Sequence, residues 1–433
     1  MGVFFMSLGQ KIRELRIVKG LTQSDLGSGL VTPSMISQIE SDKANPSYKV
    51  LEAIAEKLET PLEFFLTDIQ TQLEQTSAHK VAKALLSSAN YERAYGLLES
   101  LLQKPSQSLN IAEVMSDLGE CYLHLGRYDE AVEQFEKVLE IAKTKENPTA
   151  SLQALNKLGV IEQRRQKYHL AIYHWRKAYE QFELLLQPEP FLQSQILTNL
   201  GTIHYQLGEF QEALNYYETA YKFLAKSSHF EQIGFTYIGL GLSYKRMKEF
   251  EKASEYSQYA IAIFESLKNI KLAIDVKKNY GILKSEEGQF EAAHELFLAC
   301  IEEYEKHNYT LDAGSVYGEI ARLYVKEQRF DDCKLTCQKA LATIPATSLE
   351  AAPILRTLAI AEDKLGHRDR ATATMVRSIN IFKEHRLLSE LAETYSLLAD
   401  FYQLDGNFAK ANESLLNMKD ALNENLKERG IIL

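Results

Sequence analysis

The sequence predicts an all-α chain, in which a short block of helices precedes a long array of repeated helix pairs. Three observations carry that prediction. Four stretches share one pattern: LGECYLHLGRYDEAVEQF from Leu118, LGVIEQRRQKYHLAIYHW from Leu158, LGTIHYQLGEFQEALNYY from Leu200 and LGLSYKRMKEFEKASEYS from Leu240. A small residue in the second half of each unit recurs at Ala94, Ala131, Ala171, Ala213, Ala253, Ala293, Cys333, Ala371 and Ala411, at intervals of 37, 40, 42, 40, 40, 40, 38 and 40. Residues 7–66 lack this unit and read instead as five short helices with their own caps.

Each repeat reads as two antiparallel helices. Leucines and aromatics form the seam between them, and the small Gly and Ala sit where the helices approach too closely for a larger side chain. This is the tetratricopeptide pattern, with about nine pairs whose first and last members are weaker, as capping units are. The usual unit has about 34 residues, so each pair carries about six more, worth roughly 9 Å of helix at 1.5 Å per residue. Gly126, Gly208, Gly288, Gly366 and Gly406 are placed to close the first helix of their pairs. Stacked pairs of this kind form a solenoid with a concave binding face rather than a catalytic pocket.

Composition narrows the function classes. The 433 residues hold 49 Lys+Arg and 59 Asp+Glu, a net charge of -10. That is no surface for coating nucleic acid non-specifically. Residues 1–66 carry 7 basic and 8 acidic side chains, so most of the acidity belongs to the repeats. No apolar run approaches the ~20 residues of a membrane span, and the opening Met1–Met6 has no basic n-region, so a cytoplasmic chain with no membrane partner is expected. Cys121, Cys300, Cys333 and Cys337 are too few for a disulfide framework, and Cys333 and Cys337 occupy packing positions of their repeat. No metal motif, nucleophile elbow or phosphate loop is present; Gly239-Leu240-Gly241 follows no strand and is a repeat glycine pair. The expectation is a protein without cofactor or metal, and not an enzyme.

In residues 7–66 the first helix runs from about Ser7 to Lys19, with Leu8, Ile12 and Leu15 on one face and Gly20 as its stop. Thr22 caps a second helix, TQSDLGSG. Thr32 caps a third, with Pro33 at its first position, where a missing N–H costs nothing. Asn45-Pro46-Ser47 opens a fourth, with Leu51, Ile54, Ala55 and Leu58 inward. Thr60-Pro61-Leu62-Glu63 reads as a capping box for the fifth. Domain limits follow: 1–66, a polar connection at 67–77 (TDIQTQLEQTS), and the repeats at 78–433.

The stretch GLTQSDLGSGLVTPSMISQIESDKANPS resembles the Cro/phage-repressor (XRE) helix-turn-helix family. The resemblance rests on Gln23, Leu26-Gly27, Ile36, Ile39, Glu40 and the Asn45-Pro46-Ser47 exit. The turn is one residue shorter than in the phage repressors. That shorter form, joined to long repeats, is similar to the peptide-pheromone-sensing regulators of the Rap/NprR/PlcR/PrgX (RNPP) family, and chain length and repeat number look most like its NprR-type members.

The resemblance implies that the third helix enters the major groove of a double-stranded operator, offering Thr32, Ser34, Met35, Ser37 and Gln38 to the bases. Gln38 suits adenine and Met35 a thymine methyl. Gln23, Lys43 and Asn45 would hold phosphates, helped by Lys11, Arg13, Arg16 and Lys19. One such module binds weakly, so a homodimer or tetramer on two-fold-related half-sites is expected. In the repeats the resemblance implies that inner-helix asparagines clamp an extended signalling peptide, since an amide offers both donor and acceptor to a peptide unit. The candidates are Asn156, Gln163, Arg164, Asn199, Tyr205, Lys245, Arg246, Asp275, Lys278, Asn279 and Arg322. The bases among them suit a peptide carboxylate, and Asp275 a peptide ammonium. Two alternatives stand beside this quorum-sensing transcription regulator: a Rap-like partner of a phosphorelay response regulator, and an XRE-type regulator sensing another ligand.

Overall fold

A computed structural model of the chain describes residues 7–106, 109–183, 189–225 and 227–428, so Met1–Met6 lies outside the described residues. All regular elements among the described residues are α-helices. Packing groups the chain into two compact units, Met1–Ala154 and Leu155–Leu433.

The first four helices are α1 (Leu8–Val18), α2 (Gln23–Gly27), α3 (Pro33–Glu40) and α4 (Tyr48–Lys57). Ser7, Thr22, Thr32 and Ser47 cap them, each side chain accepting from the backbone N–H three residues on. Leu8, Ile12, Leu26, Ile36, Ile39, Leu51, Ile54, Ala55, Leu58 and Phe65 close one core, as the apolar spacing predicts. A Cβ on Gly27 would lie 3.2 Å from the Ile36 side chain, which is the close helix approach expected of Leu26-Gly27.

The fifth helix differs from expectation in two ways. α5 spans Leu62–Ser87, so the 67–77 connection is helical and not a break. Its sequence contains no Gly or Pro, and Leu, Glu and Gln all propagate a helix well. Its N-cap is Pro61 without a side-chain cap bond, and the Thr60 hydroxyl donates to the Leu58 carbonyl at 3.0 Å, so the capping box does not form. Proline at the cap moves the first helical turn past the position from which Thr60 could accept.

The repeats continue as α6 (Tyr91–Gln103), α7 (Ile111–His124), α8 (Tyr128–Thr144), α9 (Pro148–Arg164), α10 (Tyr168–Glu183), α11 (Pro190–Leu207), α12 (Phe210–Leu224), α13 (Phe230–Arg246), α14 (Phe250–Ser266), α15 (Ile270–Glu286), α16 (Phe290–Lys306), α17 (Thr310–Lys326), α18 (Phe330–Thr343), α19 (Ala351–Lys364), α20 (Arg368–Glu384), α21 (Leu388–Leu404) and α22 (Phe408–Glu428). With α5 as first partner of α6, the described residues hold the nine pairs that the period predicts. The additional length is in the helices: α13, α14, α15 and α16 are each 17 residues long. All five turn glycines adopt positive φ. At the same turn position Gln166, Lys248 and Gln328 do so without being glycine.

The seam obeys a rule of sizes. Every recurring small residue from Ala94 to Ala411 is at most 2% exposed. Twelve residues before it stands glycine in five consecutive pairs, and four residues after it the bulk varies. Gly119 faces Phe135, Gly159 faces Trp175, Gly201 faces Tyr217 and Gly281 faces Phe297. Where the early position is alanine (82, 321, 359 and 399), the later one is Leu98, Cys337, Met375 or Leu415, never a ring. Gly241, opposite Ser257, is the exception.

Candidate DNA-reading face and repeat groove

The face of α3 follows from what holds its other side. Ile36 and Ile39 anchor it in the core, and Glu40 is only 5% exposed. Arg16 forks onto Glu40, with Nε donating at 2.5 Å and Nη2 at 3.0 Å, while Nη1 donates to the Leu21 carbonyl at 2.8 Å. Gln23 donates to the same carboxylate at 2.8 Å. Burial pushes the Glu40 carboxyl up, but hydrogen bonds from Arg16 and Gln23 and the Arg16 charge outweigh it and hold the group below the usual carboxylate range. A network of this kind fixes α1, α2 and α3 together and leaves Thr32, Ser34, Met35, Ser37 and Gln38 all exposed on one helix. Lys43 and Asn45 are exposed just beyond it.

Four phosphate candidates have partners within the chain. Arg16 has its donors on Glu40 and Leu21 and a side chain only 12% exposed, so it is an internal strut rather than a phosphate ligand. Gln23 has one amide donor committed to Glu40. Lys19 meets Glu59 at 2.5 Å, and Lys11 lies over the Phe64 ring at 4.6 Å. Lys57, which the sequence reading passed over, donates to the carbonyls of Asp25, Leu26 and Ser28 and closes the C-terminus of α2.

In the unit Leu155–Leu433, helices α11 and α13 line an open groove of about 440 Å³. Asn199, Thr202, Tyr205 and Gln206 come from α11, and Phe235 and Leu242 from α13. Of the peptide candidates, Asn199 and Tyr205 meet here. Lys245 and Asn279 line a void of about 20 Å³ between α13 and α15. The two spaces share Ile238 and Leu242. Burial pushes the Tyr205 hydroxyl up, and that of Tyr217 up to about 12, so both are neutral donors at physiological pH.

The other candidates have different surroundings. Asn156 is buried, and its side-chain oxygen accepts from Trp175 Nε1 at 3.0 Å and Asn199 Nδ2 at 2.9 Å, so it orients Asn199. Gln163 donates to Gln206 at 3.3 Å. Lys245 Nζ lies 3.2 Å from Glu286, and Arg246 sits over the Phe210 ring at 5.4 Å. The Tyr304 hydroxyl donates to Asp275 at 2.5 Å. Lys278 is half-buried and Arg164 exposed. Arg322 pairs with Glu319 and lines a separate pocket of about 360 Å³ with Arg356, which Glu390 and Glu393 hold at 2.8 and 3.3 Å.

Sequence reasoning missed Thr202 and Gln206, although both fall on the helical stripe three to four residues on from Asn199 and each other. It also missed a pocket of about 700 Å³ in the unit Met1–Ala154, lined by Lys83, Asn110, Glu113, Asp117, Lys145 and Gln153. There His79 Nε2 lies 2.7 Å from Asp117, and burial raises the Asp117 carboxyl despite His79 and Lys83. All four cysteines are free and buried, and burial pushes the Cys121 and Cys300 thiols up to about 12. Among the described residues no group of three or more His, Cys, Asp or Glu could hold a metal ion, and no helix is long and apolar enough to cross a membrane.

Comparison with known proteins finds matches in both regions of the chain. A helix-turn-helix family model matches residues 12–65, and a tetratricopeptide-repeat model matches 74–144 and 150–226. Regulatory protein RapG of Bacillus subtilis (strain 168) is 24% identical over 136 residues, a match spanning 31% of this chain and 37% of RapG. Aspartyl phosphate phosphatase F from Bacillus subtilis has a similar fold, with a TM-score of 0.56 at 17% identity over 83% of this chain and 96% of that one. A Rap protein complexed with competence and sporulation factor gives a TM-score of 0.56 at 15% identity, over 82% and 99% of the two chains. The matched families describe DNA-binding and interaction modules rather than enzymes. The chain therefore joins a helix-turn-helix module to tetratricopeptide repeats, and over part of its length it is similar to a Rap regulatory protein.

Proposed function

We propose that the chain is a cytoplasmic, sequence-specific transcription regulator whose repeat groove binds a short signalling peptide. Residues 1–66 read DNA, residues 78–433 take the peptide and assemble the oligomer, and the helical 67–77 segment connects them. The observation that carries the reading is one chain holding both an α3 face of exposed side chains and, in its repeats, an open groove with Asn199, Tyr205 and Gln206 along one helix. Peptide binding would favour one arrangement of a dimer or tetramer and so one spacing of the DNA-reading domains, which requires tighter binding to that arrangement. The acidic repeats confine DNA contact to the reader, so binding would depend on few phosphates and be readily switched by salt or assembly.

Fluorescence anisotropy of the full chain against genomic fragments, with and without candidate peptides, tests the reading. Saturable binding in one state and its loss or gain in the other is expected; no saturable binding at low salt in either state would sink it. A second reading is favoured by the fold likeness to aspartyl phosphate phosphatase F and the match to RapG: the repeats engage a response regulator, alone or in the NprR-type combination with DNA binding. A pull-down with purified response regulators, with and without peptide, separates the two.

A further inference from the structure

We propose that Gly241 and Ser257 open a side-chain pocket in the repeat groove that admits one small aliphatic residue of the bound peptide; the proposal rests on the peptide-binding function. Four of the five seam glycines are there because a ring leaves no room for a Cβ. A Cβ on Gly119 would lie 2.9 Å from the Phe135 ring, on Gly201 2.8 Å from Tyr217 and on Gly281 2.7 Å from Phe297; on Gly159 it would strike Trp175. Gly241 is under no such constraint. A Cβ there would meet the Ser257 hydroxyl at 3.3 Å, with the Ala253 oxygen and Ser257 nitrogen next nearest at 3.5 and 3.6 Å. Glycine inside a helix destabilises it relative to alanine. The chain therefore accepts a weaker α13 where packing does not ask for it, and at the same step it has serine where its neighbours have rings.

The result of that double truncation is the void of about 20 Å³ between α13 and α15. It has room for about one water or one methyl group. Ile238, Leu242, Val276 and Leu283 form its apolar walls, and Lys245 and Asn279 supply the polar part of its lining. The Ser257 hydroxyl donates back to the Ala253 carbonyl at 2.7 Å, so it makes no polar demand on an occupant. Through Ile238 and Leu242 the void adjoins the 440 Å³ groove that holds Asn199 and Tyr205. A peptide lying along the groove can place a methyl-bearing side chain, alanine or valine, into it, while a ring is too large.

The test uses the full chain and a resin-displayed heptapeptide library in which each position is fixed in turn as Gly, Ala, Val, Leu, Phe or Lys. The wild-type chain should prefer Ala or Val over Phe by about tenfold or more at one position. Gly241→Ala should abolish that preference while its Tm equals or exceeds that of the wild type, because the added methyl asks the Ser257 hydroxyl to give by only a few tenths of an ångström. Ser257→Val, which fills the same space from α14, should lose the preference as well. An unchanged preference in Gly241→Ala overturns the pocket alone, as does a fall in its Tm, which would make the glycine a packing requirement. A wild-type chain that enriches no peptide overturns the peptide-binding function and the pocket with it.

Discussion

Residues 7–66 and the repeats solve the same problem, close helix packing, by different chemistry. In the first region the buried point where α1, α2 and α3 meet is a charge: the Glu40 carboxylate receives Arg16 and Gln23. In the repeats the recurring seam positions are small residues matched in size to the side chain opposite; Gly159 under Trp175 is the extreme case. A polar network is directional, so it sets one orientation of a short helix such as α3, whose outward face must be defined to read bases. Size matching is tolerant of which residue supplies the bulk, so a repeat can trade Phe for Trp or Met provided the opposite residue shrinks or grows.

Substitutions can break or sharpen that contrast. The largest effect is expected from Trp175→Ala, which removes the largest fully buried side chain and leaves Asn156 and Gly159 facing a cavity. A loss of about 3–5 kcal/mol by urea denaturation followed by circular dichroism is expected. Glu40→Ala leaves Arg16 buried without its partner and should cost about 3 kcal/mol or more, read as loss of amide-exchange protection in residues 7–66. The two variants should differ in pH response. The Glu40 carboxyl is held below its unfolded value, so its contribution is fully present above about pH 4.3 and is lost as pH falls through the lower folded value. Residues 7–66 should therefore lose protection below about pH 4, and the Glu40→Ala chain should not show that step.

Gly281→Ala should cost about 1–3 kcal/mol, because Phe297 must move or leave its rotamer. If it costs nothing, size matching is not what holds the seam. Gln38→Ala should leave folding untouched and relax discrimination at one base pair by about 1–3 kcal/mol, measured by competition among operator variants. The smallest change is a gain: Lys248→Gly relieves a left-handed backbone (φ 63) that Gly208 and Gly288 occupy without strain, and should raise stability by about 1 kcal/mol.

The repeats were legible in the sequence because their signal is a spacing, and a 40-residue period survives changes in side-chain identity. The caps Thr22 and Thr32 were legible because each acts on residues three positions away. What escaped was set by partners distant in sequence. Arg16 looked like one of four basic residues on a helix, and only the fold brings it to Glu40, 24 residues on. Asn156 looked like a peptide clamp, but Trp175 and Asn199 use its oxygen. Asn199 and Tyr205 lie on one helix, where a sequence pattern can place them together, whereas the pocket around Lys83 and Asp117 draws on several segments.

Helix α5 begins with Phe65 buried in the core of the first region and ends with Ala82 buried in the first repeat. Seventeen residues of helix separate them, about 26 Å at 1.5 Å per residue. That helix is a lever arm. Under the proposed function, a rotation of α5 at its repeat end would reach its start in residues 7–66 with no loop to absorb it, and replacing the 67–77 segment by a glycine-rich tether would uncouple the two ends.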